Sequence, residues 1–119
     1  MTTPNIAALT TITGNTQVQA VTTSATPIVD NPSSSGKILK INSLIISNIN
    51  ATTAQDVTVD LYRNTTAYKL VSTVSVAADS SFTALDKTLS IYLLEGDKLR
   101  LTASNNSTLQ AICSFEEIS

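Results

Sequence analysis

A chain of 119 residues with 42% hydrophobic content is long enough to close one domain core without disulfide staples. Only 13% of its residues are charged, about half the usual share, and Thr, Ser and Asn fill the difference, a balance that favours strands and turns over helix interiors. With a net charge of −2 and seven scattered basic residues, it lacks the clustered cations that nucleic acid requires.

Residues 1–16 read as an extended N-terminal arm, rich in Thr and Asn, with Pro4, Gly14 and only Ile6, Leu9 and Ile12 to bury. Polar termini are loosely held unless something ties them down. The arm is therefore expected to lie against its own domain or, more usefully, a neighbouring subunit. From Gln17 to Ser119 the apolar period is two, interrupted by turn residues, as in an all-β domain. Val18 and Ala20 share one face of a first strand, and Ile28-Val29 form a short second piece. Asp30-Asn31-Pro32-Ser33-Ser34-Ser35-Gly36 is a loop. The strand from Lys37 to Asn48 switches apolar phase between Leu39-Ile41 and Leu44-Ile46, so a β-bulge is predicted at Asn42-Ser43. Ile38 and Ile45 then point away from the core, toward the arm or a partner.

Val57, Val59 and Leu61 alternate with polar neighbours in the next strand. Asn64-Thr65-Thr66 turns the chain into an alternation of Tyr68, Leu70, Ser72, Val74 and Val76. Further strands are predicted at Phe82–Leu85, at Leu89, Ile91 and Leu93, at Leu99–Ala103 and at Leu109–Phe115. Glu95-Gly96-Asp97 is a tight turn in which Gly96 takes positive φ. Strands recurring roughly every ten residues predict an antiparallel β-sandwich or jelly-roll-like fold of seven to eight strands.

The chemistry-bearing residues are sparse. Histidine is absent, which removes the commonest general base and metal ligand, and the one cysteine, Cys113, falls on an apolar strand face as a small buried hydrophobe. The three glycines stand too far apart for a phosphate loop. Asp56 and Asp60 on one strand, Glu95 and Asp97 around Gly96, and Glu116-Glu117 read as solvated carboxylates; a calcium site is the alternative. Trp is absent; Tyr62 and Tyr92 fall opposite the core set and are either cross-strand packing partners or a glycan platform. The Asn-x-Ser/Thr patterns at Asn50, Asn64, Asn105 and Asn106 read as turns rather than glycosylation sites. Met1-Thr2-Thr3-Pro4-Asn5 has neither a basic region nor a long apolar run, so no secretory leader is expected. No apolar run suits a membrane-spanning helix. No catalytic residue, cofactor or metal is expected, and neither nucleic acid nor membrane is expected as a partner.

An ordered series of segments spans nearly the whole chain: Thr11-Ile12-Thr13-Gly14, Gln19–Thr26, Ser35–Leu44, Ile46-Ser47-Asn48, Asp56–Val59, Ile91–Asp97, Leu101–Ser104 and Ser114–Ile118. In order and spacing it resembles the small virion structural proteins of tailed phages, especially those infecting marine cyanobacteria. Related phage sandwiches often carry Pro-Ala-Gly where this chain has Ala77-Ala78-Asp79. The resemblance implies a particle component made in the host cytoplasm, without enzymatic activity or cofactor. The function expected first is capsid decoration: cementing the outer shell by binding the major capsid protein or other virion proteins, as a homo-oligomer for which family analogy favours a trimer. Ile6, Leu9, Ile12, Ile38 and Ile45 are the expected partner-binding residues. The alternatives are a tail, neck or fibre-base adaptor and a receptor- or glycan-binding module on the virion.

Overall fold

β-Branched and hydroxyl side chains fit a pleated, half-buried surface, and the Asn-, Ser- and Gly-rich breaks between them supply turn conformations. In the computed structural model, which describes residues 11–119, these segments form nine strands, and no helix occurs among the described residues. They are β1 (Ile12–Val21), β2 (Thr26–Asp30), β3 (Ile38–Asn48), β4 (Gln55–Arg63), β5 (Thr66–Val76), β6 (Ser81–Leu85), β7 (Ile91–Leu93), β8 (Lys98–Ala103) and β9 (Leu109–Ile118). All nine segments marked by the alternation contribute strands, one or two more than the seven to eight of the predicted fold, with short β2 and β7 each completing a ladder.

The pairing has mirror order. β4 pairs with β5, β3 with β6 and β7, β2 with β8, and β1 with β9, all antiparallel. The first half of the chain thus folds back on the second as one long hairpin, closed at Asn64 and Thr65. Both take positive φ, 51° and 62°, as a two-residue hairpin turn with the correct twist demands. The doubled ribbon then curls so that β9 also lies beside β3 and β8 beside β4. The result is a sheet ordered β1-β9-β3-β6, with β7 also on β3, and a four-stranded sheet ordered β2-β8-β4-β5.

One core fills the space between the sheets. Leu39, Ile41, Leu44, Ile46, Leu109, Ala111, Cys113 and Phe115 meet Val57, Val59, Leu99, Leu101 and Ala103 from the other side. Fully burying each aliphatic side chain contributes roughly 1.5–3 kcal/mol before chain entropy is set against it. The predicted bulge in β3 is present: the register against β9 shifts between Ile41 and Ser43, keeping both apolar pairs inward.

Three expectations are corrected. The arm was expected to reach Thr16, but Ile12–Thr16 are strand, paired with Ser114–Ile118 of β9, while residues 1–10, with Ile6 and Leu9, lie outside the described residues. In β5 the alternation breaks. Val71, Val74 and Val76 turn inward while Tyr68 and Leu70 are exposed, because a bulge with Thr73 at φ 52° shifts the register between Val57 and Val59. Leu89 is no strand residue; it is exposed in a turn where Leu89 N–H donates to Asp86 O at 3.0 Å and Thr88 N–H to Asp86 Oδ1 at 2.9 Å. That turn, chiefly the Thr88 hydroxyl bond, holds the Asp86 carboxyl below its ordinary range.

Candidate docking surface

The outer face of the β1-β9-β3 sheet is built from the residues that alternate with the core set. Ile45 stands between buried Leu44 and Ile46, so it must point outward, and it is 36% exposed. The register then decides its neighbours. Ile45 lies opposite Ile112 of β9, and Ile112 lies opposite Val18 of β1. Ile112 is 47% and Val18 73% exposed, so one apolar row crosses three adjacent strands at the surface. The next outward row is Ala20, Gln110 and Ser47, and a depression of about 360 Å³ lies between Val18, Ala20, Ser47, Gln110 and Ile112. On the other side of the apolar row come Thr16, Ser114 and Ser43. The face is thus an aliphatic stripe between uncharged rows of small side chains. Charge appears only one row further, where Lys40 and Glu116 stand opposite each other and Asn42 Nδ2 donates to Glu116 Oε1 at 3.1 Å. Covering such a surface strips water from few charges, so desolvation opposes docking little.

Of the predicted partner residues, Ile45 belongs to this stripe. Ile12 is exposed at the far end of β1, four outward positions removed from Ala20. Ile38 is only 5% exposed, directly opposite Ile118 of β9, itself buried, so its side chain is already occupied within the chain and offers no surface. Val18 and Ile112 were not among the expected partner residues. Their alternation was visible, but their adjacency to Ile45 depends on strand order.

The carboxylates expected in solvent are instead partly sequestered. Asp97, 2% exposed, receives the Arg63 guanidinium as a fork, Nε–Oδ1 2.8 Å and Nη2–Oδ2 2.5 Å, and accepts the Leu94 N–H at 2.8 Å. The hydrogen bond and charge of Asp97 in turn raise the Arg63 pKa. Asp60, 3% exposed, is clasped by Arg100, whose guanidinium also lies 4.0 Å from the ring centroid of Tyr62. Glu95 Oε2 accepts the Gly36 N–H at 2.9 Å, while Asn31 Nδ2 bonds the carbonyls of Lys37 and Leu93. These bonds lock the loop before β3 to the turn before β8; Gly96 sits there at φ 89° as predicted. A depression of about 450 Å³ beside this junction is lined by Tyr62, Arg63, Glu95 and Lys98. Arg63 and Asp97 are taken up by their ion pair and Glu95 Oε2 by the loop clasp, while Glu95 Oε1 is buried with no hydrogen-bond partner among the described residues. Among the described residues, no three His, Cys, Asp or Glu side chains converge as metal ligands would.

Cys113 is fully buried, and burial pushes its thiol up to about 12. The folded chain therefore keeps a proton that the unfolded chain releases near 9.0. This part of stability is intact below pH 9 and is lost progressively as pH rises toward 12. Unfolding free energies from urea titrations at about pH 7 and about pH 10 should differ by roughly 1 kcal/mol more in the parent chain than in Cys113→Val. An equal alkaline loss in both would show that the thiol plays no part.

Compared with protein-family models and with curated proteins, the chain matches none.

Proposed function

We propose that this protein is a jelly-roll component of a phage particle, a decoration protein that cements the outer shell by binding the major capsid protein through the outer face of β1, β9 and β3. The observation that carries the reading is the exposed Val18–Ile112–Ile45 row flanked on both sides by uncharged rows. Contiguous exposed aliphatic side chains rimmed by polar residues are a feature of contact surfaces. The mirror-order pairing supports the jelly-roll assignment, an architecture frequent in viral shells. Because fold alone does not imply function, weight rests on the face and on the segment resemblance to phage virion proteins. Each docked copy needs only a modest contact, since a repeating lattice presents the same site many times and oligomeric copies bind with multiplied strength.

The test is Ile45→Lys combined with Ile112→Glu, which sets opposite charges on facing positions of the solvent side of the sheet. The variant should fold with a stability within about 0.5 kcal/mol of the parent, because neither side chain belongs to the core. It should bind particles lacking the protein at least about tenfold more weakly in co-sedimentation. Unchanged occupancy would refute the face as the docking surface.

A further inference from the structure

The hydrogen-bond phase of β1 carries a consequence for assembly. Thr11 N–H donates to Ser119 O and Ser119 N–H to Thr11 O, both at 3.0 Å. An antiparallel ladder alternates, so along the unbroken register that follows, the odd-numbered residues from Thr13 to Val21 exchange bonds with β9. The N–H and C=O groups of Ile12, Gly14, Thr16, Val18 and Ala20 therefore point away from β9, along an edge that no described strand covers. The other sheet margins are guarded. β2 carries Pro27 and a bulge, β5 carries Lys69 and a bulge, and β6 and β7 are five and three residues long. β1 runs ten residues with no charge, no proline and no bulge. Such an edge is a template for another strand, and natural monomers usually blunt it.

We infer that the β1 edge is a self-association surface, occupied by β1 of a second copy in antiparallel pairing across a two-fold axis at Thr16. Two features on the strand select a second copy as occupant. Self-pairing sets identical strands against each other, which is penalised when they carry charge; β1 carries none. A two-fold axis normal to the sheet also matches even positions to even positions, the ones whose backbone groups no described strand takes up. With Thr16 on the axis the whole strand is used, and about ten backbone hydrogen bonds form. Ile12, 56% exposed, then meets Ala20 of the second copy, and Val18 lies over its Gly14, where there is no side chain to displace. On the inner face Asn15 meets Gln17 and Thr13 meets Gln19, pairing amide with amide and hydroxyl with amide. The two outer faces become one surface, with both Val18–Ile112–Ile45 rows on the same side. A strand pair of this kind closes as a dimer or an even-numbered assembly, and it replaces the trimer expected by analogy. The inference stands independently of where the protein acts.

The test is sedimentation velocity on the purified full chain and on variants at the edge. The parent chain should be dimeric, and Thr16→Lys and Thr16→Glu should each be monomeric or dissociate roughly tenfold more readily, through like charges set opposite each other. Mixing the two should restore a heterodimer, because opposite charges then meet at the axis. Proline supplies a second reading that separates pairing from folding. Thr16→Pro removes an N–H that β9 does not use, so it should give a folded monomer, whereas Gln17→Pro removes one that β9 does use and should lower the melting temperature. A parent chain that is monomeric at its highest soluble concentration, a trimer, or a Thr16→Lys variant that stays dimeric would each overturn the inference.

Discussion

Asp97→Ala should destabilise the protein by about 2–4 kcal/mol, measured as a shift in urea midpoint at unchanged slope. The carboxylate is buried, receives both arms of the Arg63 fork and accepts the Leu94 N–H, so its loss orphans a guanidinium and a turn amide together. The upper end usual for a broken buried pair is not expected, because Arg63 is 38% exposed and regains water when released. Asp97→Asn keeps an acceptor for Leu94 N–H and should cost less. Arg63→Met should cost about as much as Asp97→Ala, since it leaves the buried charge without its counter-ion. An Asp97→Ala effect within about 0.5 kcal/mol would mean that the ion pair does not hold the Leu94–Asp97 turn.

Leu101→Ala and Leu70→Ala should behave as opposites, although both leucines occupy alternating positions on strands. Leu101 is wholly buried between the sheets, and truncating it should cost about 2–5 kcal/mol through lost transfer energy and a cavity. Leu70 is 41% exposed on β5, so its truncation should cost less than about 1 kcal/mol. Chemical denaturation of the two variants beside the parent decides the matter. Comparable losses would place Leu70 in the core and remove the bulge from β5.

That contrast shows why one bulge was legible and the other was not. In β3 the apolar residues themselves change phase, from Leu39 and Ile41 to Leu44 and Ile46, so an extra residue at Asn42-Ser43 is the only way to keep four large side chains inside. In β5 the run Tyr68, Leu70, Ser72, Val74 and Val76 looks continuous, and the sole warning is a serine at a position that should be inward. Positive φ at Thr73, whose N–H donates to Thr58 Oγ1 at 3.1 Å, is set by the pairing with β4 and leaves no local mark.

The same division runs through the candidate surface. Ile45 declares its outward direction by standing between two core residues. Val18 and Ile112 join it only because β9 is inserted between β1 and β3, bringing Ile112 beside residues 94 and 67 positions earlier in the chain, which local pattern does not encode. Ile38 shows the converse: it alternates with Leu39 as Ile45 does with Leu44, but its burial opposite Ile118 depends on the pairing with β9. The buried state of Asp60 likewise required knowing that Arg100, on another strand, faces it.

The most direct measurement is imaging of intact purified particles with the position and copy number of this chain determined. Hundreds of copies are expected on the outer shell, with the β1-β9-β3 face turned toward the capsid subunits, in the manner of multivalent attachment to a lattice. A dozen copies or fewer at the tail or neck would contradict the shell assignment. Absence of the chain from purified particles would contradict a virion role altogether.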